Sequence, residues 1–555
     1  MTDLDVSDTV STSVTSVTVT GDDGGLGNAA LQAMLSVDAG DVIDNASTTG
    51  TINWSFDSTP EAFNHLSDGE TLTLEYSVIA TDSQGSDSAA QLVTITITGT
   101  NDAPVAYDDS TPTTSENAVY AGNVPAATDV DGTIVSYSLD TDVAQGSLTF
   151  NADGSYSFAP GAAFDDLAFG ESRSVSFTYH ATDDFGADSG VQTVTIEVTG
   201  ANDAPVITVV GTDSASEPLT ESDAALSVGG TLTVTDLDVS DTVSTSVTSV
   251  TVTGDDNGIA NADLLAMLSV DAGNVIDNLS TTGSINWSFD SNPEAFNHLA
   301  DGEDLTLEYS VIATDSQGSD SAAQLVTITI TGTNDAPVAY DDSTPTTSEN
   351  AVYAGNVPAA TDVDGTIVSY SLDTDVAQGS LTFNADGSYS FAPGAAFDDL
   401  AFGESRSVSF TYHATDDFGA DSGVQTVTIE VTGANDAPVI TVVGTDSASE
   451  PLTESDAALS VGGTLTVTDL DVSDTVSTSV TSVTVTGDDG GLGNAALQAM
   501  LSVDAGDVID NASTTGTINW SFDSTPEAFN HLSDGETLTL EYSVIATDSQ
   551  GSDSA

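Results

Sequence analysis

The sequence predicts an all-β protein that is built as a tandem array of antiparallel β-sandwich domains. The stretch that begins at Asp3 returns, residue for residue over long runs, at Asp236 and again at Asp469, each time 233 residues later. A period this long and this faithful indicates whole domains copied in tandem. Within each period, short runs of alternating apolar and polar residues are separated by turn signals, a pattern typical of sandwich strands.

Two kinds of domain alternate along the chain. The string Asn-Asp-Ala-Pro-Val begins at Asn101, Asn202, Asn334 and Asn435, and it divides the chain into short units of 101 residues and long units of 132 residues. The predicted domains are a first long unit (1–102) lacking its N-terminal strand, a first short unit (103–203), a central long unit (204–335), a second short unit (336–436) and a last long unit (437–555) lacking its C-terminal strand. Because both end units are incomplete, we expect the chain to be a piece of a longer array.

Alternating apolar positions predict the main strands. Clear examples run from Leu72 to Ala80, from Val175 to Ala181 and from Val194 to Val198. The turn residues of Asn151–Ser155 predict a hairpin between two short strands. Helix is scarce: the candidates are a helix over Asn28–Leu35 with Asn28 as its N-cap, a turn over Thr59–Leu66 and a similar turn over Pro160–Leu167.

The charge balance restricts the possible partners. Eighty-eight acidic residues stand against two basic ones, Arg173 and Arg406. A buried carboxylate without a partner is costly, so these groups must be solvated, bonded to backbone N–H groups or neutralised by a bound cation. Calcium, which prefers oxygen ligands, is the obvious cation; a solvated acidic coat that keeps the protein soluble is the simpler alternative. Nucleic acid and anionic membrane are poor partners for such a surface.

Other classes of protein are disfavoured. The absence of cysteine excludes disulfides and zinc–thiolate sites. No apolar run approaches the length of a membrane span, so we expect no membrane insertion. Carboxylate pairs of the glycosidase type occur throughout, but catalysis also needs a pocket and one raised pKa, so we expect no enzyme. The five histidines have no second His or Cys nearby, which favours packing or hydrogen bonding over metal binding.

The short unit contains Gly146–Phe158, Phe164, Gly170-Glu171, Phe177-Thr-Tyr179 and the closing string Thr199–Val206. Through these motifs, it resembles the VCBS repeat of bacterial surface proteins. It implies the structural extender of a very large secreted or surface-anchored adhesin of the RTX type, exported by a type I system and used in cell adhesion or biofilm formation. The alternative is that the repeats themselves are adhesive modules that bind carbohydrate or protein. In the extender reading, host-cell or matrix glycans and proteins would be reached through regions outside this chain, and adjacent repeats would be the immediate partners.

A second set of residues in the short unit is Glu116, Asp129 with Asp131, and the preceding Asn101 and Asp102. This set is similar to that of cadherin-like domains, which have a Glu near the first strand, an Asp-x-Asp and a linker Asn-Asp. The similarity implies immunoglobulin-like sandwiches in an extended rod with calcium at the junctions. The number of ions per junction stays open, because Gly99 and Ala103 replace two further cadherin ligands. The full predicted set is Asn101, Asp102, Glu116, Asp129, Asp131, Asn202, Asp203, Glu221, Asp236, Asp238, Asn334, Asp335, Glu349, Asp362, Asp364, Asn435, Asp436, Glu454, Asp469 and Asp471.

The residues also support this assignment without the resemblance. Two carboxylates two positions apart can present oxygen atoms to one side of a turn, and Asn-Asp adds further oxygens where two domains meet. The alternative is that Asp-Gly and Asn-Asp are ordinary turn and Asx-capping residues. Asp82 and Asp87, in the loop Thr-Asp-x-x-Gly-x-Asp, stay open between an ion ligand and a hairpin turn.

Overall fold

The computed structural model describes all 555 residues and confirms the predicted all-β array. Each predicted unit contains two sheets, and every strand pairing lies within one unit. Helix is limited to three α-helical segments of five or six residues and two short 3-10 turns. None of these helices has the length and apolar composition that a membrane span requires.

The first long unit has one four-stranded and one two-stranded sheet. Its elements are β1 (Val10–Thr20), α1 (Gly27–Gln32), β2 (Leu35–Val37), β3 (Asp41–Ile43), β4 (Trp54–Phe56), β5 (Thr71–Asp82) and β6 (Gln91–Thr98). The strand orders are β3-β1-β5-β6 and β2-β4.

The first short unit packs a three-stranded sheet against a four-stranded one. Its strands are β7 (Thr113–Ser115), β8 (Tyr120–Asn123), β9 (Ile134–Thr141), β10 (Ser147–Phe150), β11 (Ser155–Ala159), β12 (Ser172–Asp183) and β13 (Gln192–Thr199), with a 3-10 turn at Gly161–Ala163. The orders are β10-β11-β8 and β7-β13-β12-β9. The predicted hairpin is confirmed, because β10 and β11 pair antiparallel across Asn151–Gly154.

The central long unit is the most complete. Its elements are β14 (Val206–Thr208), β15 (Ser216–Thr220), β16 (Ser227–Thr235), β17 (Val243–Thr253), α2 (Asn261–Ala266), β18 (Leu268–Val270), β19 (Asn274–Ile276), β20 (Thr282–Asp290), β21 (Asp304–Thr314) and β22 (Gln324–Thr331). They form the sheets β14-β16-β20-β18 and β15-β22-β21-β17-β19.

The last two units repeat these plans. The second short unit has β23 (Thr346–Ser348), β24 (Tyr353–Asn356), β25 (Ile367–Thr374), β26 (Ser380–Phe383), β27 (Ser388–Ala392), a 3-10 turn at Gly394–Ala396, β28 (Ser405–Asp416) and β29 (Gln425–Thr432). The last long unit has β30 (Val439–Thr441), β31 (Ser460–Thr468), β32 (Val476–Thr486), α3 (Asn494–Gln498), β33 (Leu501–Val503), β34 (Asp507–Ile509), β35 (Thr515–Asp523) and β36 (Thr539–Asp548).

Both sheets of the central long unit contribute to one apolar core. Its cluster of 22 buried residues includes Leu232 of β16, Phe289 of β20 and Leu307 of β21. Tyr309 is fully buried at its centre, and its hydroxyl donates a hydrogen bond to the carbonyl of Leu264 (2.9 Å). The alternation that predicted the strands therefore reflects one face packed inward and one facing out.

The predicted helix over Asn28–Leu35 is wrong in its bounds and its cap. The helix covers Gly27–Gln32, so Asn28 lies inside it, and no side chain caps its N-terminus in the usual way. Asp23 instead accepts a hydrogen bond from the N–H of Gly27 (3.3 Å). Leu35 leaves the helix because it begins β2, where it pairs with Phe56. Pairing with a distant strand thus outweighs local helix propensity.

Most strand pairs in the sandwiches are antiparallel, as the sequence predicts, but one parallel pair occurs in each of three units. In both short units and in the central long unit, an early strand pairs parallel with the last strand. β7 pairs with β13, β15 with β22 and β23 with β29. The early strand therefore runs towards the same end of the unit as the last strand, and it delivers the residue that follows it to the C-terminal linker.

Candidate metal site at the unit junctions

Buried oxygen atoms without hydrogen-bond partners are concentrated where the units meet. Twenty such side-chain atoms occur, and all but those of Asn297 and Tyr389 belong to residues in or beside the linkers. Native proteins rarely leave a buried polar atom unpaired. The junction residues concerned are Asn101, Glu116, Asp129, Asp131, Asn202, Glu221, Asp236, Asp238, Asp241, Asn334, Asp335, Glu349, Asp362, Asp364, Asn435, Asp469, Asp471 and Asp474.

The linker that precedes the central long unit is hydrogen-bonded on both sides. The N–H of Ala201 donates to Oε1 of Glu116 in the short unit (2.9 Å), and the N–H of Asp203 donates to Oδ2 of Asp238 in the long unit (2.8 Å). Nδ2 of Asn202 donates to Oδ2 of Asp315 (2.8 Å). Three consecutive linker residues are therefore bound to carboxylates of both units.

Four aspartates of the central long unit surround this linker. Asp236, Asp238, Asp241 and Asp315 are all buried, with at most 6% exposure. Oxygen atoms of Asp236, Asp241 and Asp315 lie within 4.8 Å of one another. The same arrangement occurs in the last long unit with Asp469, Asp474 and Asp548. No lysine or arginine is available here, because the two arginines bind Asp166 (2.8 Å) and Asp399 (2.7 Å).

Burial shifts the pKa of these carboxylates upward. It raises the pKa of Asp236 to about 6, and the charges of Asp241, Asp315 and Asp203 add to the effect. It raises the pKa of Asp238 to about 7, in spite of the hydrogen bond from the N–H of Asp203. Both effects show that the ionised form is poorly accommodated by protein groups alone. Carboxylate oxygens of this kind are the ligands that a hard cation such as calcium takes.

The linkers that precede the short units have a related geometry. Nδ2 of Asn334 donates to Oδ2 of Asp416 (2.9 Å), and the N–H of Asp335 donates to Oδ2 of Asp364 (3.2 Å). Burial raises the pKa of Asp335 and of Asp364 to about 6. Asn101, Asp102, Asp131 and Asp183 repeat these contacts at the first such linker.

The predicted grouping of the glutamates with the preceding linker is wrong. Glu116 does not lie near Asn101 and Asp102; it lies at the opposite end of its unit, bonded to Ala201. The reason is the parallel pairing, because Ser115 at the end of β7 pairs with Thr199 at the end of β13. Glu349 follows the same rule and accepts from Ala434 (2.9 Å), while Glu221 accepts from Thr333 (2.7 Å). Glu454 is exposed and meets no linker.

The remaining predicted residues come together in fours. In each group, the N–H of the linker Asp donates a hydrogen bond to the second Asp of the Asp-x-Asp pair, whose own N–H donates to the first Asp. The four groups are Asp129 and Asp131 with Asn101-Asp102, Asp236 and Asp238 with Asn202-Asp203, Asp362 and Asp364 with Asn334-Asp335, and Asp469 and Asp471 with Asn435-Asp436. Their role as metal ligands stays a prediction.

Two kinds of junction residue were missed. Asp241 and Asp474 lie five positions after the first residue of the Asp-x-Asp pair, and the spacing is repeated at Asp8, which was the available signal. Asp183, Asp315, Asp416 and Asp548 are the counterparts of Asp82, for which the sequence favours neither an ion ligand nor a hairpin turn. In each of these four, Oδ1 accepts N–H groups of its own hairpin and Oδ2 accepts from the linker Asn. Asp87 only accepts from Thr81 (2.8 Å), as a hairpin residue would.

Comparisons with known proteins agree with this fold. A family model described as the bacterial cadherin-like domain matches residues 101–200 and 334–433. No curated protein sequence is significantly similar to the chain. Among solved structures, the protocadherin gammaB7 EC3-6 cis-dimer is 16% identical, with a TM-score of 0.39, and the match covers 82% of this chain and 98% of that one. Drosophila N-cadherin EC1-4 is 14% identical, with a TM-score of 0.25 and coverage of 81% and 97%.

Because these identities and TM-scores are low, neither solved structure assigns a function or a relative placement of the units to this chain. The family model is more specific, because its two matches coincide with the two short units. The chain is thus an all-β tandem repeat in which residues 101–200 and 334–433 match the model of the bacterial cadherin-like domain.

Proposed function

We propose that this chain is part of the structural extender of a large secreted or cell-surface bacterial adhesin, and that calcium at the unit junctions stiffens it. The observation that carries the proposal is the concentration of unpaired buried oxygen atoms at the linkers. Elsewhere in the units, buried polar atoms are almost all paired. The linkers therefore lack a component that the protein itself does not supply.

The residues at the junctions fit calcium. The donors are carboxylate and amide oxygens, which are the ligands that this hard cation takes, and no nitrogen or sulfur ligand is among them. Bound calcium would supply positive charge that offsets the repulsion between carboxylates. Because the ligands come from the linker and the following unit, with Glu116 contributed by the preceding one, occupancy would restrict bending at the linker.

We propose that the units act as spacers that extend the chain over a long distance. A strand of 12 residues such as β12 spans roughly 40 Å, so five units in line would extend on the order of 200 Å. Extracellular modules bind calcium with dissociation constants of about 0.1 to 1 mM, a range that would leave the junctions loose in a low-calcium cytosol and stiff outside the cell. We propose an extracellular or cell-surface location and type I export on this basis and on the VCBS resemblance.

Solution X-ray scattering of the complete chain tests this function. In millimolar calcium we expect a maximum dimension on the order of 200 Å. With chelator, the particle should become shorter on average and its scattering should show interdomain flexibility, while circular dichroism should show that the strands persist. A magnesium arm controls for ionic strength and divalent charge. Identical scattering curves in calcium and in chelator would refute calcium stiffening.

A further inference from the structure

Two kinds of junction alternate along the chain, and they differ in one loop. In the long units, the Asp-x-Asp pair is followed by four residues before the next strand, as in Val239–Thr242 before β17. In the short units only two residues, such as Gly132-Thr133, separate the pair from β9. The strands start at equivalent places, because Ile134 pairs with Asp183 just as Val476 pairs with Asp548.

The longer loop adds a carboxylate to the junction. Asp241 lies in this loop and is 2% exposed, and its oxygens group with those of Asp236 and Asp315. Groups of three carboxylates this close occur at the two short-to-long junctions and at neither long-to-short junction. In the short unit, the loop has no acidic residue, and the nearby Asp184 accepts a hydrogen bond from the N–H of Thr133 (2.8 Å).

The additional carboxylate also has an unused oxygen. Oδ2 of Asp241 has no hydrogen-bond partner, and neither does Oδ2 of Asp236 nor Oδ1 of the fully buried Asp238. The same three atoms are unpaired in Asp469, Asp471 and Asp474. These buried, unpaired atoms are evidence of a missing ligand that is independent of the acidic composition.

We propose that the two kinds of junction form two classes of calcium site, and that the short-to-long class binds calcium more tightly. The inference rests on the proposed function, and it concerns how that function responds to calcium concentration. Affinity for calcium increases with the number of carboxylates that converge on the ion. As calcium falls, every second linker loosens first. Each short unit then stays fixed to the long unit that follows it, and these pairs are joined by loose long-to-short linkers.

Calorimetric titration of the complete, calcium-free chain with calcium chloride tests the proposal. We expect two classes of site, each from two junctions, that differ by about tenfold or more in dissociation constant. Substituting both Asp241→Asn and Asp474→Asn should weaken the tight class about tenfold and leave the weak class unchanged. Asp8→Asn is the matched control, because Asp8 has the same local sequence but no preceding linker in this chain.

The results separate the two proposals. A single class of equivalent sites, or an equal shift of both classes in the Asn variant, would overturn the alternation and leave calcium stiffening intact. No calcium uptake at all would overturn the proposed function itself. If the double variant does not fold, the titration of the unmodified chain still decides between one class and two. Scattering at a calcium concentration between the two midpoints should then show partial flexibility, and a fully stiff or fully loose particle there would contradict the proposal.

Discussion

The middle of a long unit and its N-terminal junction differ in the kind of group they bury and in whether the chain supplies a partner for it. In the middle, apolar side chains from two sheets fill the core, and the hydroxyl of the fully buried Tyr309 is hydrogen-bonded to the carbonyl of Leu264. At the junction, four buried aspartates meet with no basic residue nearby, and three of them keep an unpaired oxygen atom. The polar group buried in the core thus has a partner within the chain, whereas the junction keeps buried carboxylate oxygens for which the chain supplies none.

To test predictions about the two regions, the stability of a single unit has to be measured separately from that of the others. The chain has three tryptophans, one in each long unit, and Trp287 of the central unit is 3% exposed. In a reporter chain with Trp54→Phe and Trp520→Phe, the fluorescence of Trp287 follows unfolding of the central long unit alone. Each stability measurement below uses this reporter chain in denaturant.

The largest effect should come from the core. Leu307→Ala removes a fully buried side chain, and we expect it to lower the free energy of unfolding by about 2 to 5 kcal/mol. The loss should be the same in calcium and in chelator, because Leu307 lies in β21 eight positions before the junction residue Asp315. Thr306→Ala, on the outer face of the same strand, is the control and should change little. A Leu307→Ala effect that depends on calcium would break the distinction between the two regions.

The next effect should come from the junction, and its sign should depend on calcium. At calcium about 100 times its dissociation constant, binding adds about 2.7 kcal/mol to the folded state. Asp238→Asn should remove much of this gain in calcium. In chelator at pH 7.5, the same variant should be as stable as the unmodified chain or more stable, because it removes a buried charge that no basic residue balances. If Asp238→Asn destabilises the unit equally under both conditions, its role is structural.

The pH dependence should sharpen the comparison further. Because the folded-state pKa values of Asp236 and Asp238 are raised to about 6 and about 7, the folded unit retains protons that the unfolded chain releases near pH 4. Their contribution to stability is therefore complete below pH 4 and is lost as the pH rises through 6 to 7. In chelator, the central unit should unfold more easily at pH 8 than at pH 5.

Calcium should reverse the sign of this pH dependence. The ion requires ionised ligands, so lowering the pH to 5 should weaken binding and with it the added stability. Asp238→Asn provides the control, since it should flatten the pH profile in chelator. A metal-free chain that becomes more stable between pH 5 and pH 8 would contradict the shifts at the junction.

The smallest effect should come from the two arginines, which belong to the short units. Arg173 pairs with Asp166 (2.8 Å) and lies 5.6 Å from the ring centre of Phe164, but both members of the ion pair are partly exposed. Arg173→Ala should therefore cost less than about 1 kcal/mol, whether or not calcium is present. Calorimetric melting of the complete chain in low and in high salt measures this. A large, calcium-dependent loss would mean that this arginine supports the junction after all.

The strands and the linker contacts were predictable because their signals are local. Alternation from Leu72 to Ala80 and from Val175 to Ala181 reports one buried face, whatever lies opposite. The contact between the linker Asn-Asp and the following Asp-x-Asp was also expected, because both motifs recur near the start of each unit. The role of Asp241 was not predicted, because its three-carboxylate group also requires Asp315, more than 70 residues later.

The repeats, the β-rich pattern and an acidic charge that two arginines hardly offset follow from the amino-acid sequence alone, since each is a property of neighbouring residues or of composition. Which carboxylates share a junction is a property of the tertiary structure. The segment Ser-Glu-Pro-Leu-Thr occurs twice and shows why. At Ser216–Thr220 it is a strand that pairs with β22. The identical residues at 449–453 form no strand, because residues 1–555 include no counterpart of β22 with which they could pair. Its following glutamate is buried in the first case and exposed in the second. Pairing between residues more than 100 positions apart decides the outcome, and no local pattern encodes it.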